Sequence, residues 1–319
     1  MKLGFVSDSL GKMPLTELLD TAVDLEVAGI EINTGGWSTA PHFDLHAMKK
    51  SVEVRRTFCR EFTDRGLDII CLNANGNPLH PTDTQQKQCL LDTIQVAGDM
   101  GITKVCTMSG LPAGARDDST PNWVVSSWPP ETQVILDYQW NDVLLPFWSD
   151  LVDTAKACGV HYLALELHGN QCVYNVPTLK RLRDAVGPTV GANLDPSHLF
   201  WMGADPLVAA TSLGDALYHV HAKDAWLNAP VQATTGLLEH GSLMNIPARS
   251  WSYVTLGFGH GEQWWRQFCY HLVVAGYDGW LCIEHEDVLL NSLEGLQKSV
   301  SLLRDVMPIA ESDFAPQDI

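Results

Sequence analysis

The sequence predicts a (β/α)8 barrel. Three observations carry that prediction. Eight short apolar runs alternate with amphipathic segments, at roughly 35–45 residues per unit. Glycine closes five of the helical segments just before a buried run begins, at Gly29, Gly66, Gly101, Gly159 and Gly276. Such glycines end helices, and continuous apolar runs suit strands covered on both faces. Four apolar runs end in acids and imidazoles, as expected where barrel strands deliver side chains to one face. An open doubly wound sheet is disfavoured because no G-x-G-x-x-G follows the first strand.

Taken in order, Leu3–Val6 is the first strand. Pro14 and Thr16 open an amphipathic helix carrying Leu15, Leu18, Leu19, Ala22 and Val23. Ile30–Asn33 is the second strand, followed by the loop 35–42, a helix over Leu45–Arg65 and a third strand at Asp68–Asn73. The loop 74–81 leads to a helix over Thr82–Met100, and Lys104–Met108 is the fourth strand. Residues 109–133, rich in Gly, Pro, Asp, Ser and Trp, form a long loop, and loops of that length tend to carry function. A helix over Val134–Cys158 must kink or break at Pro146. Tyr162–Leu167 is the fifth strand, Thr178–Val186 a helix, Val190–Leu194 the sixth strand, Asp205–Leu213 a short helix and Leu217–Ala222 the seventh strand. A second long loop spans 226–261. The helix Glu262–Ala275, the eighth strand Trp280–Ile283 and the helix Ser292–Val306 complete the pattern, and the tail after Pro308 is expected to be loosely held.

The bulk properties narrow the function. The chain has 319 residues, 45% of them hydrophobic, which suits one barrel domain over 1–319. Its formal net charge of −18 argues against nucleic acid as a partner, since phosphate would be repelled. The eight cysteines are scattered, with no Cys-x-x-Cys, and Cys71, Cys106 and Cys282 lie inside strand-like runs. Reduced thiols and a cytoplasmic location are expected. The apolar run at the N-terminus is too short for a signal peptide or a membrane span.

Side chains alternate along a strand, so every second residue faces the barrel interior. Glu166 and His168 share a face, as do His219 and His221, and Glu284 and Glu286; Asp195 ends the sixth strand. A set such as Glu166, Asp195, His221 and Glu284 offers three carboxylates and one imidazole. Carboxylates so close repel unless a cation holds them. Oxygen-rich ligation with one nitrogen suits Mn²⁺, Mg²⁺ or Co²⁺. Trp37, Trp123, Trp128, Trp201 and Trp251 are candidates for a sugar or aryl pocket, because sugars present apolar C–H faces to aromatic rings. His42, His80, Arg249 and His260 are further candidates for the pocket, whereas Trp264 and Trp265 read as packing residues.

The strand-five Glu166, the turn Asp195-Pro196-Ser197-His198, the run His221-Ala222-Lys223-Asp224 and the segment Gly276–Asp287 resemble the xylose isomerase-like barrel superfamily. The likeness covers the second half of the chain closely. The first half matches in its βα rhythm and in Gly76-Asn77-Pro78-Leu79-His80-Pro81. The resemblance implies a divalent metal, commonly Mn²⁺, on Glu166, Asp195, His221 and Glu284. It also implies that His198 and Lys223 contact substrate. Choosing Glu284 over Glu286, and His221 over His219, rests on motif position. The implied activity is isomerisation or epimerisation of a sugar by proton removal α to a carbonyl, through an enediolate that a metal stabilises. Glu166 and Glu284 are the catalytic acid and base, with His168 or His198 as alternatives. A second reading is β-elimination of the aglycone from a 3-oxo-glycoside, as in the alpha subunits of C-glycoside deglycosidases, which work with a small partner subunit. The two long loops would suit that bulkier substrate. A homo-oligomer is the expected assembly.

Overall fold

The computed structural model describes residues 1–310, 313 and 314. Eight parallel strands close into a barrel: β1 (Lys2–Val6), β2 (Gly29–Asn33), β3 (Asp68–Ala74), β4 (Lys104–Thr107), β5 (Tyr162–Glu166), β6 (Val190–Leu194), β7 (Leu217–Ala222) and, after an inserted hairpin, β10 (Trp280–Ile283). The strands neighbour one another in sequence order, and β10 closes the ring against β1, pairing Phe5 with Ile283. The eighth predicted strand is therefore β10. The expectation for the tail after Pro308 falls largely on residues outside the described ones.

The strands divide their side chains between two cores. Leu3, Phe5, Ile30, Ile32, Leu72, Val105, Leu163, Leu165, Val190, Ala192 and Leu281 join the cluster that includes the surrounding helices. Val6, Cys71, Cys106, Ala164 and Cys282 belong to a second, smaller apolar cluster. Polar residues continue along the same strands at two-residue spacing from these: Asn73 after Cys71, Glu166 after Ala164, Glu284 after Cys282. Because inward positions recur every second residue, the interior passes from a small-residue layer to a polar layer as the strands rise. Glu31, Asn73, Asn193, His219 and His221 are all fully buried in it.

Three predicted elements differ in detail. The helix over Leu45–Arg65 is two helices, Leu45–Lys50 and Val52–Thr63. Ser51 adopts an extended backbone between them and caps the second through a hydrogen bond from Val54 N to its hydroxyl. The helix over Val134–Cys158 is Glu131–Asp137, a π-helical stretch Tyr138–Leu144, and Leu145–Ala157. Pro146 falls in the first turn of the last of these, where a missing N–H costs nothing, so the π stretch absorbs the interruption. The loop 226–261 is not irregular throughout. Asp224–Leu227 (β8) and Trp251–Val254 (β9) form an antiparallel pair with a short helix, Ala229–Thr235, between them.

The segment Asp195–His198 is a helix start rather than a free turn. Asp195 is the N-cap of Pro196–Met202, its Oδ1 accepting from Ser197 N at 2.8 Å, and Pro196 fills the first position. The inserted hairpin packs on this helix through Trp251, which stacks on Trp201 with ring centroids 5.0 Å apart. At the opposite side of the mouth, the loop after β2 lies tight against the loop after β3. Trp37 N donates to Asn75 O at 2.8 Å, and Gly36 has φ +78° with no room for a Cβ, which would sit 2.1 Å from Asn75 O. That contact fixes both Trp37 and Asn75.

Candidate active site and metal centre

Each of the four candidate ligands comes from a different strand end. Glu166 is the last residue of β5 and Asp195 follows β6. His221 lies in β7, and Glu284 follows β10, its N–H still bonded to Ala222 O at 3.1 Å. One donor atom from each of Glu166, Asp195, His221 and Glu284 lies within 4.8 Å of all the others. Glu286 is not in this group: it is half exposed at the rim, ion-paired with Lys223. His219 is not in it either. It sits lower in the barrel, its Nε2 donating to Glu31 Oε2 at 2.6 Å.

Two atoms of the cluster are left without a hydrogen-bond partner although buried: Asp195 Oδ2 and His221 Nδ1. Buried polar atoms are normally satisfied. The other atoms of these residues explain the pattern. Asp195 Oδ1 is occupied by the cap, leaving Oδ2 aimed inward. His221 Nε2 faces Glu31 Oε1 and Oε2 at 3.1 and 3.2 Å, so that nitrogen keeps its proton; despite burial, Glu31 and Glu284 hold the ring well above the usual imidazole range, and Nδ1 becomes a ligand when a cation displaces its proton. That Nδ1 stands 3.5 Å from Glu166 Oε1 and 3.4 Å from Glu284 Oε2. Three carboxylates with inward oxygens and an imidazole nitrogen form a donor set that fits a hard or borderline divalent cation.

The surrounding charges hold Glu166 ionised. Burial pushes Glu166 up. The hydrogen bond from His198 and the neighbouring His221 outweigh it and keep Glu166 well below the usual carboxylate range. Asn75 Nδ2 also donates to Glu166 Oε2. His198 Nε2 lies 3.1 Å from Glu166 Oε1 and 3.2 Å from Asp195 Oδ2. Burial would lower it, but Asp195 and then Glu166 raise it to about 9. Lys223 Nζ is 3.0 Å from Glu284 Oε2 and 4.3 Å from the Tyr253 ring centre. Despite its burial, Glu284 and Glu286 hold Lys223 well above the ordinary lysine value. His168 behaves oppositely: burial and the nearby His198 charge push it to about 3, so it is neutral. Its Nδ1 donates to Gly169 O, which leaves Nε2 as the acceptor nitrogen.

Glu166, His168, His198, Lys223 and Glu284 line a cavity of about 210 Å³, with Asp8, Asn33, Trp37, Asn75, His285 and Glu286 around them. Of the predicted substrate contacts, Trp37, His198 and Lys223 are in its wall, as is His168, the alternative acid or base. His80 and Arg249 are not. His80 Nδ1 accepts from Asp83 N at 3.0 Å and closes its own turn. Arg249 is buried in the insertion, donating to Trp251 O at 3.0 Å and Gly241 O at 2.6 Å and pairing with Glu239 at 3.1 Å. Its charge is consumed in fastening that segment. His42 bonds Met13 O, and His260 pairs with Asp224 at 2.8 Å and stacks on Phe200, so neither points at the cavity. Trp123, Trp201 and Trp251 pack edge-to-face and stacked against one another outside this cavity, and Trp128 is exposed. Trp265 is fully buried and Trp264 stacks on Phe268, as packing residues do.

Three residues absent from the sequence-based list belong here. Glu31 orients both β7 histidines. Asn75 donates to Glu166. Tyr253, on β9, places its hydroxyl 2.9 Å from His198 Nδ1. Glu31 had a sequence signal, since Ile30-Glu31-Ile32-Asn33 alternates apolar and polar residues and so aims both polar ones inward. Tyr253 had a weaker one in the β-prone run Trp251-Ser252-Tyr253-Val254.

Residues 19–306 match the family model described as xylose isomerase-like TIM barrel. The uncharacterized protein YfiH of Bacillus subtilis (strain 168) is 44% identical over 311 residues, covering 96% of this chain and 99% of that one. Among solved structures, the probable 3-DHS dehydratase AsbF of Bacillus anthracis superposes with a TM-score of 0.65 at 17% identity, covering 95% of this chain and 99% of the other. IolI with a bound zinc atom gives 0.65 at 17%, over 96% and 98% of the two chains. A D-tagatose 3-epimerase-like protein gives 0.63 at 17%, over 96% and 98%. At such identities the superpositions speak to the fold, and the match over residues 19–306 speaks to descent: this chain belongs to the xylose isomerase-like TIM barrel family.

Proposed function

We propose that this protein is a divalent-metal-dependent isomerase or epimerase of a small sugar, acting by proton transfer at a carbon next to a carbonyl. The observation that carries the reading is the cluster itself: two carboxylates, Glu166 and Glu284, share a four-donor set in which buried Asp195 Oδ2 and His221 Nδ1 make ion-pair contacts of 3.2–3.5 Å but no hydrogen bond. Glu166, Asp195, His221 and Glu284 would hold the cation. When bound, it supplies positive charge beside the oxygen that becomes negative as the proton leaves.

The chain's own residues do the rest. Glu166 and Glu284 come from β5 and β10, three steps apart around the eight-stranded ring, so they approach a bound sugar from well-separated sides. One carboxylate removes the proton and the other returns it on the opposite face, which inverts the carbon; return to a neighbouring carbon isomerises the sugar instead. His198 and Asn75 hold Glu166 in place. Lys223, kept charged by Glu284 and Glu286, donates to a substrate oxygen. The neutral His168 accepts from a substrate hydroxyl through Nε2. Trp37, half exposed at the rim and 5.8 Å from the His168 ring, offers a face to sugar C–H groups.

A cavity of about 210 Å³ is small beside the roughly 300–1,000 Å³ typical of pockets for larger ligands. Trp37 is the single tryptophan lining it. Both features favour a monosaccharide over the aryl glycoside that the elimination reading requires. The test is incubation of the Mn²⁺-loaded protein with ketohexoses and 3-oxo-glycosides in D2O. The reading predicts deuterium at one carbon of a ketose, lost in Glu166→Gln and Glu284→Gln. No uptake from any sugar by protein with Mn²⁺ bound would overturn it, and aglycone release would move the assignment to elimination.

A further inference from the structure

The barrel interior below the proposed active site contains a second cluster of potential ligands, and this one has sulfur. One donor atom each from Glu31, Cys71, Cys106 and His219 lies within 4.8 Å of all the others, and all four residues are fully buried. They come from β2, β3, β4 and β7, so the group spans the barrel. Cys71 Sγ and Cys106 Sγ are 3.5 Å apart, and His219 Nε2 is 2.6 Å from Glu31 Oε2. We propose that these four residues form a second metal site, for Zn²⁺, distinct in its ligands from the oxygen-rich one.

The donor chemistry selects the ion. Two thiolates, an imidazole and a carboxylate are a four-ligand set of the kind that closes a tetrahedral structural zinc site. Bond lengths of about 2.0–2.3 Å put tetrahedral donor–donor edges at roughly 3.3–3.8 Å. The sulfur pair already has nearly that spacing, and the Glu31–His219 pair must open by less than an ångström. Mn²⁺ and Mg²⁺, which prefer oxygen, have no reason to choose this layer.

The charges also balance. Without metal, the group holds one carboxylate, offset by Lys104, whose Nζ is 3.0 Å from His219 Nδ1. On binding, both thiols lose their protons as two positive charges enter, so the net charge is unchanged. The His219 ring proton passes from Nε2 to Nδ1. Lys104, half-buried and also reaching Tyr218 O at 3.4 Å, leaves Nδ1 and remains ammonium. Glu31 keeps its contact with His221 Nε2, so one carboxylate links the two sites. Full burial means the ion is acquired as the chain folds.

The experiment is to express the whole chain in minimal medium supplemented with Co²⁺, purify it, and record its near-ultraviolet spectrum and cobalt content. Glu166, Asp195, His221 and Glu284 include no sulfur, so a thiolate-to-cobalt charge-transfer band that requires Cys71 and Cys106 reports the new site, whatever becomes of the active-site reading. The expected result is that band, with one cobalt ion per chain in addition to any held by the oxygen-rich cluster. The double variant Cys71→Ser/Cys106→Ser should lose the band and one equivalent, while Cys282→Ser keeps both. If the double variant does not fold, Cys71→Ser and Cys106→Ser made singly should each weaken or abolish the band, and a band unchanged in both overturns the proposal. A folded wild-type protein without the band, or a band that survives the double substitution, overturns the proposal.

Discussion

Replacing Glu31 with Gln keeps the side chain's shape but removes the charge that faces both β7 histidines. Glu31 accepts from His219 Nε2 at 2.6 Å, from Asn73 Nδ2 at 2.6 Å and from His221 Nε2 at 3.1 Å. The last bond keeps a proton on His221 Nε2, and so sets Nδ1 as the ligand nitrogen in the four-donor cluster. An amide in its place must either turn an N–H toward an imidazole N–H or accept more weakly. A hydrogen bond to a charged partner is worth about 1.5–3 kcal/mol. Loss of a carboxylate behind a metal-binding histidine typically weakens the metal by about 10–100-fold, or roughly 1.4–2.7 kcal/mol, so the two estimates agree. The assay is titration with Mn²⁺, following the free ion by its paramagnetic resonance signal. Mn²⁺ is suited to the test because it favours the oxygen-rich cluster over thiolates. Glu31→Gln should raise the Mn²⁺ Kd by about 10–100-fold with the fold intact by circular dichroism. A Kd within about threefold of wild type would refute the argument that Glu31 sets the His221 ligand nitrogen.

Three further outcomes follow from the same geometry. Arg249→Ala should destabilise the fold by about 2–4 kcal/mol in urea denaturation, since it strips a buried ion pair and two carbonyl contacts, while leaving KM near wild type; a large KM change with normal stability would restore Arg249 to the substrate pocket. In the metal-free protein, the His198 pKa is raised from 6.5 to about 9. Its contribution to stability is therefore complete below about pH 6.5 and is lost as pH rises through about 9, an effect of about 3 kcal/mol. Urea unfolding at pH 6.5 and pH 9.5 should show that slope, flattened in His198→Asn; equal slopes would contradict the assignment. Asn75→Ala should lower kcat by roughly 10–100-fold by freeing the Glu166 carboxylate; an unchanged kcat would mean Asn75 does not hold Glu166.

The barrel was legible because its strands are buried on both sides and its helices end at glycine, so period and punctuation agree along the chain. The four-donor cluster was legible for a related reason. Acids and imidazoles at the ends of apolar runs have no packing role, and parallel strands deliver them to one mouth. The choice of His221 over His219 was not available from alternation, since the two share a face. Depth in the barrel decides it, and depth depends on the register between β6 and β7, which shifts between Ala192 and Asn193. Arg249 and His80 show the opposite failure. Each is the right residue type near a strand-end loop, but local groups claim it first: backbone amides of its own turn for His80, and carbonyls and Glu239 of the folded insertion for Arg249. The hairpin β8–β9 was hidden because its strands are four residues long and separated by a helix and loop, so Tyr253 read as part of a loop instead of a neighbour of His198.

The claim on which the account turns is that Glu284, with Glu166, Asp195 and His221, binds the catalytic cation, while Glu286 does not. Mn²⁺ binding to wild type, Glu284→Gln and Glu286→Gln tests it directly. The account predicts one tight Mn²⁺ site per chain, weakened about 100-fold or more in Glu284→Gln and little changed in Glu286→Gln. Loss of binding in Glu286→Gln with retention in Glu284→Gln, or no tight Mn²⁺ site in the folded wild-type protein, would contradict it.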